Sequence, residues 1–166
     1  MTSERGPVHG LVAHSLGASA ATLAMAAGLA VERAIFLAPA TDPEQYTAKF
    51  ARTLRISSPV RDSMKLRIER RYGVEWKSFD LVVRAAAMQA RLLVFHDRGD
   101  KKLPFSNGAA IATAWPGAEL VATRGLGHHK IVRDPGVIFR AVDFLSRPAA
   151  AAAADPVVAS VDAGGI

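Results

Sequence analysis

The chain has 166 residues and a net charge of +6, and half of its residues are hydrophobic. This length suits one domain with a sizeable core, and a charged fraction of only 22% excludes a chain that is disordered throughout. Because the sequence contains no cysteine, a disulfide scaffold and a thiolate metal site are both excluded.

The beginning of the chain carries no recognisable targeting signal, because residues 1–7 lack the basic-then-apolar order of a secretory leader. Residues 16–31 are uncharged, but they are mostly alanine and glycine. A membrane-spanning helix needs about 20 strongly apolar residues, and this run is too short and too weakly apolar. We therefore expect a buried helix, no membrane span and a cytoplasmic location.

Four short apolar runs predict β-strands, at residues 8–14, 31–38, 91–96 and 119–123. Their continuous rather than alternating apolarity is typical of strands that are covered on both faces of a parallel sheet. Helices are predicted between them at residues 18–30, from Pro104 to about Trp115, and at 137–145 behind Asp134-Pro135. Alternating strands and helices predict an α/β fold.

The connection between the second and third strands is too long for a simple crossover. Two sets of apolar residues at a spacing of four predict two amphipathic helices within residues 41–90, which we interpret as a cap over the sheet. The sets are Tyr46, Phe50 and Leu54, then Val60, Met64, Ile68 and Tyr72. We assign residues 1–146 to the domain and predict that the alanine-rich tail, residues 147–166, is disordered.

The first predicted strand leads into Ala13-His14-Ser15-Leu16-Gly17, and a predicted helix follows directly. A strand, a sharp turn with a serine at its tip and a helix are the context of a nucleophile elbow. Gly17 satisfies the usual pattern of small flanking residues, whereas Ala13 replaces the first glycine. The amide of Leu16 would lie at a helix N-terminus, where it could donate to an oxyanion. Alone, however, a serine in such a turn is usually an ordinary turn residue.

An acid and a histidine follow the third and fourth strands. We prefer Asp100 to Asp97 as the residue that orients an imidazole, although either could simply cap a turn. His128, in the turn Gly125-Leu126-Gly127-His128-His129, is the candidate general base. Paired histidines in a loop can also be solvated or bind metal weakly, but no further ligand lies at a suitable spacing. We therefore expect neither a metal nor a cofactor.

The order of Ser15, Asp100 and His128, each after a predicted parallel strand, is the chain order of the α/β-hydrolase triad. Over residues 7–145 the sequence resembles the C-terminal half of an α/β-hydrolase of the esterase/lipase-like branch, through AHSLG, FHDRGDKKLP and GLGHHKIVRDP. The resemblance implies a partial α/β-hydrolase fold and hydrolysis of carboxylic esters or related acyl substrates. It also implies that Ser15 is the nucleophile, His128 the base and Asp100 its orienting acid.

Members of that family carry about four further strands before the elbow, together with a loop that supplies a second oxyanion amide. We find no such segment before Val8, so the alternative is a truncated, catalytically impaired fragment or a non-catalytic subunit. The outer edge of the first strand would then be bare. Such an edge invites self-association or pairing with a complementing N-terminal half.

The predicted cap is strongly basic, since residues 49–71 hold eight basic and two acidic side chains. Such a segment could bind an anionic substrate or nucleic acid. We favour a solvated helix face, because few aromatic residues lie among the charges and no nucleic-acid motif is present. Trp76 and Phe79 could line an acyl pocket, but anchoring of the cap to the sheet is the preferred interpretation. The expected partner is therefore a small acyl substrate.

Overall fold

The computed structural model describes residues 6–147 and, for its backbone alone, the segment 159–162. Its centre is a five-stranded sheet whose strands pair in parallel in the order β1-β2-β3-β4-β5. The strands are β1 (Val8–His14), β2 (Val31–Leu37), β3 (Arg91–Asp97), β4 (Glu119–Arg124) and β5 (Ala159–Asp162). The first four agree with the predicted strands, and the predicted α/β fold is confirmed.

Seven α-helices and one short 3-10 helix (Trp76–Phe79) surround the described part of the sheet. The helices are α1 (Gly17–Ala26), α2 (Pro43–Thr53), α3 (Ser58–Tyr72), α4 (Leu81–Ala85), α5 (Phe105–Ala114), α6 (Gly127–Lys130) and α7 (Pro135–Ser146). Two of the starts were readable from the sequence: the carboxylates of Asp42 and Asp134 accept hydrogen bonds from backbone amides in the first turns of α2 and α7. In both helices a proline follows the capping residue.

The two faces of the sheet bury separate hydrophobic clusters. On one face, Phe36 and Val94 pack with residues of α1, α4 and α5. On the other, Ile35 and Phe95 pack with Val137 and Phe144 of α7. Both faces of β2 and β3 are therefore covered, which explains why these strands are continuously apolar in sequence.

The predicted cap helices exist, but the apolar residues spaced by four in each of them do not form a buried face. Tyr46 and Phe50 of α2 are 46% and 43% exposed, and no residue of α3 is fully buried. Thr47 and Ala51 are the buried residues of α2 instead. The spacing of four correctly predicted helices, but it could not show which side of each helix meets the rest of the protein.

The tail that we predicted to be disordered contains a strand at its far end. The backbone of β5 pairs in parallel with β4, from Val121 opposite Ala159 to Arg124 opposite Asp162. A sequence of four residues is too short to show a strand by periodicity. The hydrogen-bonding partners of β5 are the backbone groups along the edge of β4 that β3 leaves unpaired. The rest of the predicted tail, residues 148–158 and 163–166, lies outside the described residues.

Within the described ranges 6–147 and 159–162, no helix is long and apolar enough to span a bilayer.

The packing of α5 on β3 depends on a glycine. A Cβ atom built on Gly108 would lie 2.7 Å from Nδ1 and 2.8 Å from Cβ of His96, whose side chain is fully buried. Real Cβ atoms do not approach that closely, so a larger residue would force α5 away from the strand.

We expect Gly108→Ala to destabilise the protein by about 1–3 kcal/mol, although alanine normally stabilises a helix relative to glycine. Urea denaturation would measure the change in the free energy of unfolding. Gly17→Ala is the matched control, because its added Cβ would meet only the Cβ of Ala13 at an ordinary 3.8 Å. Equal stability of the two variants would contradict the proposed close packing.

Candidate active site

Ser15 lies at the tip of a sharp turn between β1 and α1. Its φ is +54°, in the left-handed region that residues other than glycine seldom adopt. The amide of Ser15 donates to the carbonyl of Leu37 (3.0 Å), and its carbonyl accepts from the amide of Ala40 (3.1 Å). The last residue of β2 and the segment after that strand therefore hold the strained turn in place, and such strain is common at functional sites.

His128 lies opposite the serine, in the four-residue helix α6. Its Nε2 is 3.1 Å from Oγ of Ser15, within hydrogen-bonding distance. Gly125 and Gly127 precede it with φ values of +81° and +58°, a conformation that costs glycine no steric strain. The glycines thus allow the chain to turn sharply after β4 and present the imidazole to Ser15.

The carboxylate of Asp100 completes a chain of hydrogen bonds. Its Oδ2 is 2.8 Å from Nδ1 of His128, and its Oδ1 accepts from the amides of Lys102 (2.7 Å) and Leu103 (3.0 Å). The side chain of Asp100 is 0% exposed and that of His128 is 8% exposed. The structure thus brings the three residues singled out from the sequence into one connected arrangement.

The hydrogen bonds of Asp100 also set its charge. Burial by itself would raise the pKa of Asp100, but hydrogen bonds from Leu103, His128 and Lys102 outweigh it and hold the pKa below its ordinary value. The carboxylate is therefore ionised at neutral pH. An ionised acceptor on Nδ1 leaves Nε2 of a neutral His128 free to accept a proton from Ser15.

Asp97, the alternative acid in the sequence, serves a different purpose. Its Oδ2 accepts hydrogen bonds from Oγ1 of Thr123 and from the amide of Leu126, each at 2.9 Å. Asp97 therefore ties the end of β4 to the turn that leads to His128. His129, the neighbouring histidine, is exposed, and its ring centroid lies 5.2 Å from that of His128.

Two further histidines, to which the sequence analysis assigned no role, also contact this arrangement. Nε2 of His14 donates to the backbone carbonyl of His128 (3.0 Å), and Nε2 of His96 donates to the carbonyl of Leu103 (3.2 Å). Burial lowers the pKa of both histidines. The only sequence signals for them were their positions, beside Ser15 and four residues before Asp100.

The amide of Leu16 follows Ser15 and immediately precedes α1. None of the backbone hydrogen bonds found among the described residues uses this amide. It is therefore available to a negatively charged oxygen near Ser15, as expected for an elbow.

Of the cavities among the described residues, two have volumes of about 890 and 590 Å3, and neither is lined by Ser15, His128 or Asp100. The smaller cavity lies among the cap helices, where Trp76 is one of its lining residues. The rings of Trp76 and Phe79, both in the 3-10 helix, are tilted by 60° to each other with their centroids 5.6 Å apart. Because this helix packs against α1, α2 and α3, it joins the cap to the rest of the domain.

In the part of the chain that the structure describes, no three His, Asp or Glu side chains are grouped as metal ligands would be.

No protein-family profile and no curated protein matches this sequence. Solved structures do match. An esterase from Exiguobacterium antarcticum is 12% identical with a TM-score of 0.56, and the match covers 82% of this chain and 66% of that one. An α/β fold family hydrolase from Bacillus anthracis is 16% identical with a TM-score of 0.55, covering 82% and 66%.

A third structure, an α/β-hydrolase enzyme from a Medee basin deep-sea metagenome library, is 15% identical with a TM-score of 0.57. The match covers 84% of this chain and 65% of that one. The chain thus spans just under two thirds of the length of the solved structures that it matches. At these identities the likeness is one of fold.

The buried histidine His96 predicts a pH dependence of stability. Because its pKa is lowered in the folded state, the unfolded chain binds the proton more readily. Its contribution to stability is therefore complete above the ordinary histidine pKa of about 6.5 and is lost as the pH falls below that value.

We expect His96→Gln to unfold with a weaker dependence on pH between about 6.5 and 5 than the parent, as measured by urea denaturation at several pH values. Glutamine can still donate to the carbonyl of Leu103. His129→Gln is the control, because that side chain is exposed. A slope in His96→Gln as steep as in the parent would contradict the prediction.

Proposed function

We propose that this chain, which has an α/β-hydrolase-like fold, is a serine hydrolase that acts on carboxylic esters or related acyl substrates. The observation that carries the proposal is the hydrogen-bonded chain from Ser15 Oγ through His128 to Asp100. Three side chains from three separate strand ends meet at hydrogen-bonding distances, and one of them is a buried carboxylate with a lowered pKa. This combination supplies a nucleophile, a base and a group that orients the base.

In the proposed first step, Oγ of Ser15 attacks the carbonyl carbon of the ester while Nε2 of His128 takes the hydroxyl proton. The carbonyl oxygen becomes an oxyanion, and the amide of Leu16 donates to it. Collapse of this intermediate breaks the ester C–O bond. His128 then gives its proton to the departing alcohol, and the acyl group stays on Ser15.

The second step repeats the chemistry with water. His128 accepts a proton from the water as its oxygen attacks the acyl carbon, and the bond to Ser15 Oγ then breaks. Ser15 regains its proton from His128, and the carboxylic acid leaves. Asp100 stays ionised throughout and stabilises the imidazolium that forms twice in each cycle.

A fluorophosphonate probe tests the nucleophile directly, because it reacts with an activated serine hydroxyl to form a stable covalent bond. We expect the parent protein to be labelled and Ser15→Ala to show no labelling. His128→Ala is expected to be labelled at least about 100-fold more slowly, because the hydroxyl loses its general base. Intact-mass spectrometry would measure the extent and rate.

Ser106→Ala is the control variant, since Ser106 is exposed in α5 and is not part of the proposed site. It should be labelled like the parent. Undiminished labelling of Ser15→Ala, or an unlabelled parent that is demonstrably folded, would refute the proposal.

A second candidate function is that of a subunit which acts only when another polypeptide covers β1. Among the described strands β1 pairs with β2 alone, so its other edge is open. Val12 of β1 is 56% exposed, and Phe139 of α7 is 74% exposed. Edge strands that expose apolar side chains, as β1 does at Val12, commonly associate with other chains.

Under this second candidate, the isolated chain self-associates through the β1 edge. We expect Val12→Lys to lower the apparent molecular mass in size-exclusion chromatography with light scattering, because edge lysines oppose strand pairing. Val83→Lys is the matched control, since Val83 is 76% exposed but lies in α4. A monomeric parent that reacts with the fluorophosphonate would rule out the second candidate and support the first.

A further inference from the structure

We infer that His14 is a positioning residue that holds the base His128 against the nucleophile. The inference rests on the proposed function, since it assigns a role to a further residue of the same site. His14 is the last residue of β1 and the chain neighbour of Ser15. A contact between His14 and His128 therefore fixes the position of His128 relative to the strand that leads into Ser15.

The contact between the two histidines is specific. Nε2 of His14 donates a hydrogen bond to the backbone carbonyl oxygen of His128, at 3.0 Å. Their ring centroids are 4.7 Å apart, and the rings are tilted by 45°. His128 is thus held twice by consecutive residues: its carbonyl by His14 and its Nε2 by Ser15, at 3.1 Å.

The acceptor also fixes the protonation of His14. A carbonyl oxygen can only accept, so the ring must carry its proton on Nε2. Burial lowers the pKa of His14, which agrees with a neutral ring bearing this one proton. A neutral His14 adds no positive charge beside the base, so it does not oppose the protonation of His128 during the reaction.

The local backbone explains why His128 needs such a support. Helix α6 has only four residues, and both its first residue, Gly127, and the preceding Gly125 are in left-handed conformations, so it contributes little rigidity of its own. Asp97 holds the amide of Leu126 on the preceding side of His128. His14 supplies the anchor at the carbonyl of His128 itself, and the two anchors together define where the imidazole lies.

Variants at His14 separate positioning from simple packing. His14→Gln keeps an N–H near the position of Nε2, His14→Asn has the same amide on a side chain too short to reach, and His14→Phe keeps the ring but has no donor. We expect Asn and Phe to slow fluorophosphonate labelling of Ser15 by on the order of tenfold, roughly the contribution of one buried hydrogen bond. Glutamine should restore the rate to within about threefold of the parent.

With p-nitrophenyl acetate as substrate, we expect Asn and Phe to lower kcat by a similar factor and to leave KM unchanged. In the inferred role His14 acts through the base and not through substrate binding, so its loss changes kcat. Thermal unfolding identifies any variant that fails to fold. If either His14→Asn or His14→Phe fails to fold, the other can still be compared with His14→Gln.

A readout that does not depend on catalysis distinguishes failure of this inference from failure of the proposed function. Proton NMR can detect the hydrogen on Nδ1 of His128 that Asp100 binds. In a Ser15→Ala background we expect this resonance to be shifted or broadened by His14→Asn and His14→Phe, and kept by His14→Gln. If the parent is not labelled but the three His14 variants show this pattern of resonances, the proposed hydrolase activity is refuted and the positioning role of His14 is kept.

Two outcomes would overturn the inference itself. One is an unchanged Nδ1 resonance and labelling rate in both His14→Asn and His14→Phe. The other is equal impairment of all three folded variants, because an amide that restores the hydrogen bond would then have no effect.

Discussion

The buried carboxylate of Asp100 is the constraint around which the rest of this site is arranged. A charge removed from water costs several kcal/mol unless other groups hydrogen-bond to it. Here two backbone amides bind one oxygen and His128 binds the other, and these contacts keep the pKa of Asp100 low. The loop after β3 must therefore fold back on its own carboxylate, and α6 must lie close enough to bring His128 to it. Ser15 completes the arrangement, because the strained turn at the end of β1 points its hydroxyl at the other side of the same imidazole.

The supporting contacts come from residues next to the proposed reactive ones in the chain. His14 directly precedes Ser15 in the chain. His96 and Asp97 are the last two residues of β3, and Asp100 lies in the loop that follows. Asp97 holds the turn before His128, His14 holds the carbonyl of His128, and His96 holds the carbonyl of Leu103. The parallel strands explain why these supporting residues lie so close to the site. The carboxyl ends of parallel strands meet at one edge of the sheet, where binding and catalytic groups of α/β proteins are found. Gly108 belongs to the same scheme, since only the absence of a side chain there leaves room for the ring of His96.

Much of the architecture was predictable from the sequence, and the misses have a common cause. The four strands were predicted because their apolar runs are buried on both faces, and α2 and α7 because a carboxylate and a proline open each of them. The cap stripes were misassigned, because spacing shows which residues share a helix face but not what that face meets. In the structure Tyr46 and Phe50 are exposed, and Thr47 of the same helix is buried. Strand β5 was missed since four residues carry no period, and its position depends on the open edge of β4.

The sequence by itself determined the candidates for nucleophile, base and acid, because residue type and order along the chain single out Ser15, His128 and an aspartate near the end of β3. It could not choose firmly between Asp100 and Asp97, which are three residues apart and chemically identical. Only the tertiary structure shows which of the two carboxylates contacts His128: that of Asp100 does, whereas that of Asp97 accepts from Thr123 and Leu126. It likewise decided the contacts of His14 and His96. These depend on distances between segments far apart in the chain, and such distances are set by how strands and helices pack.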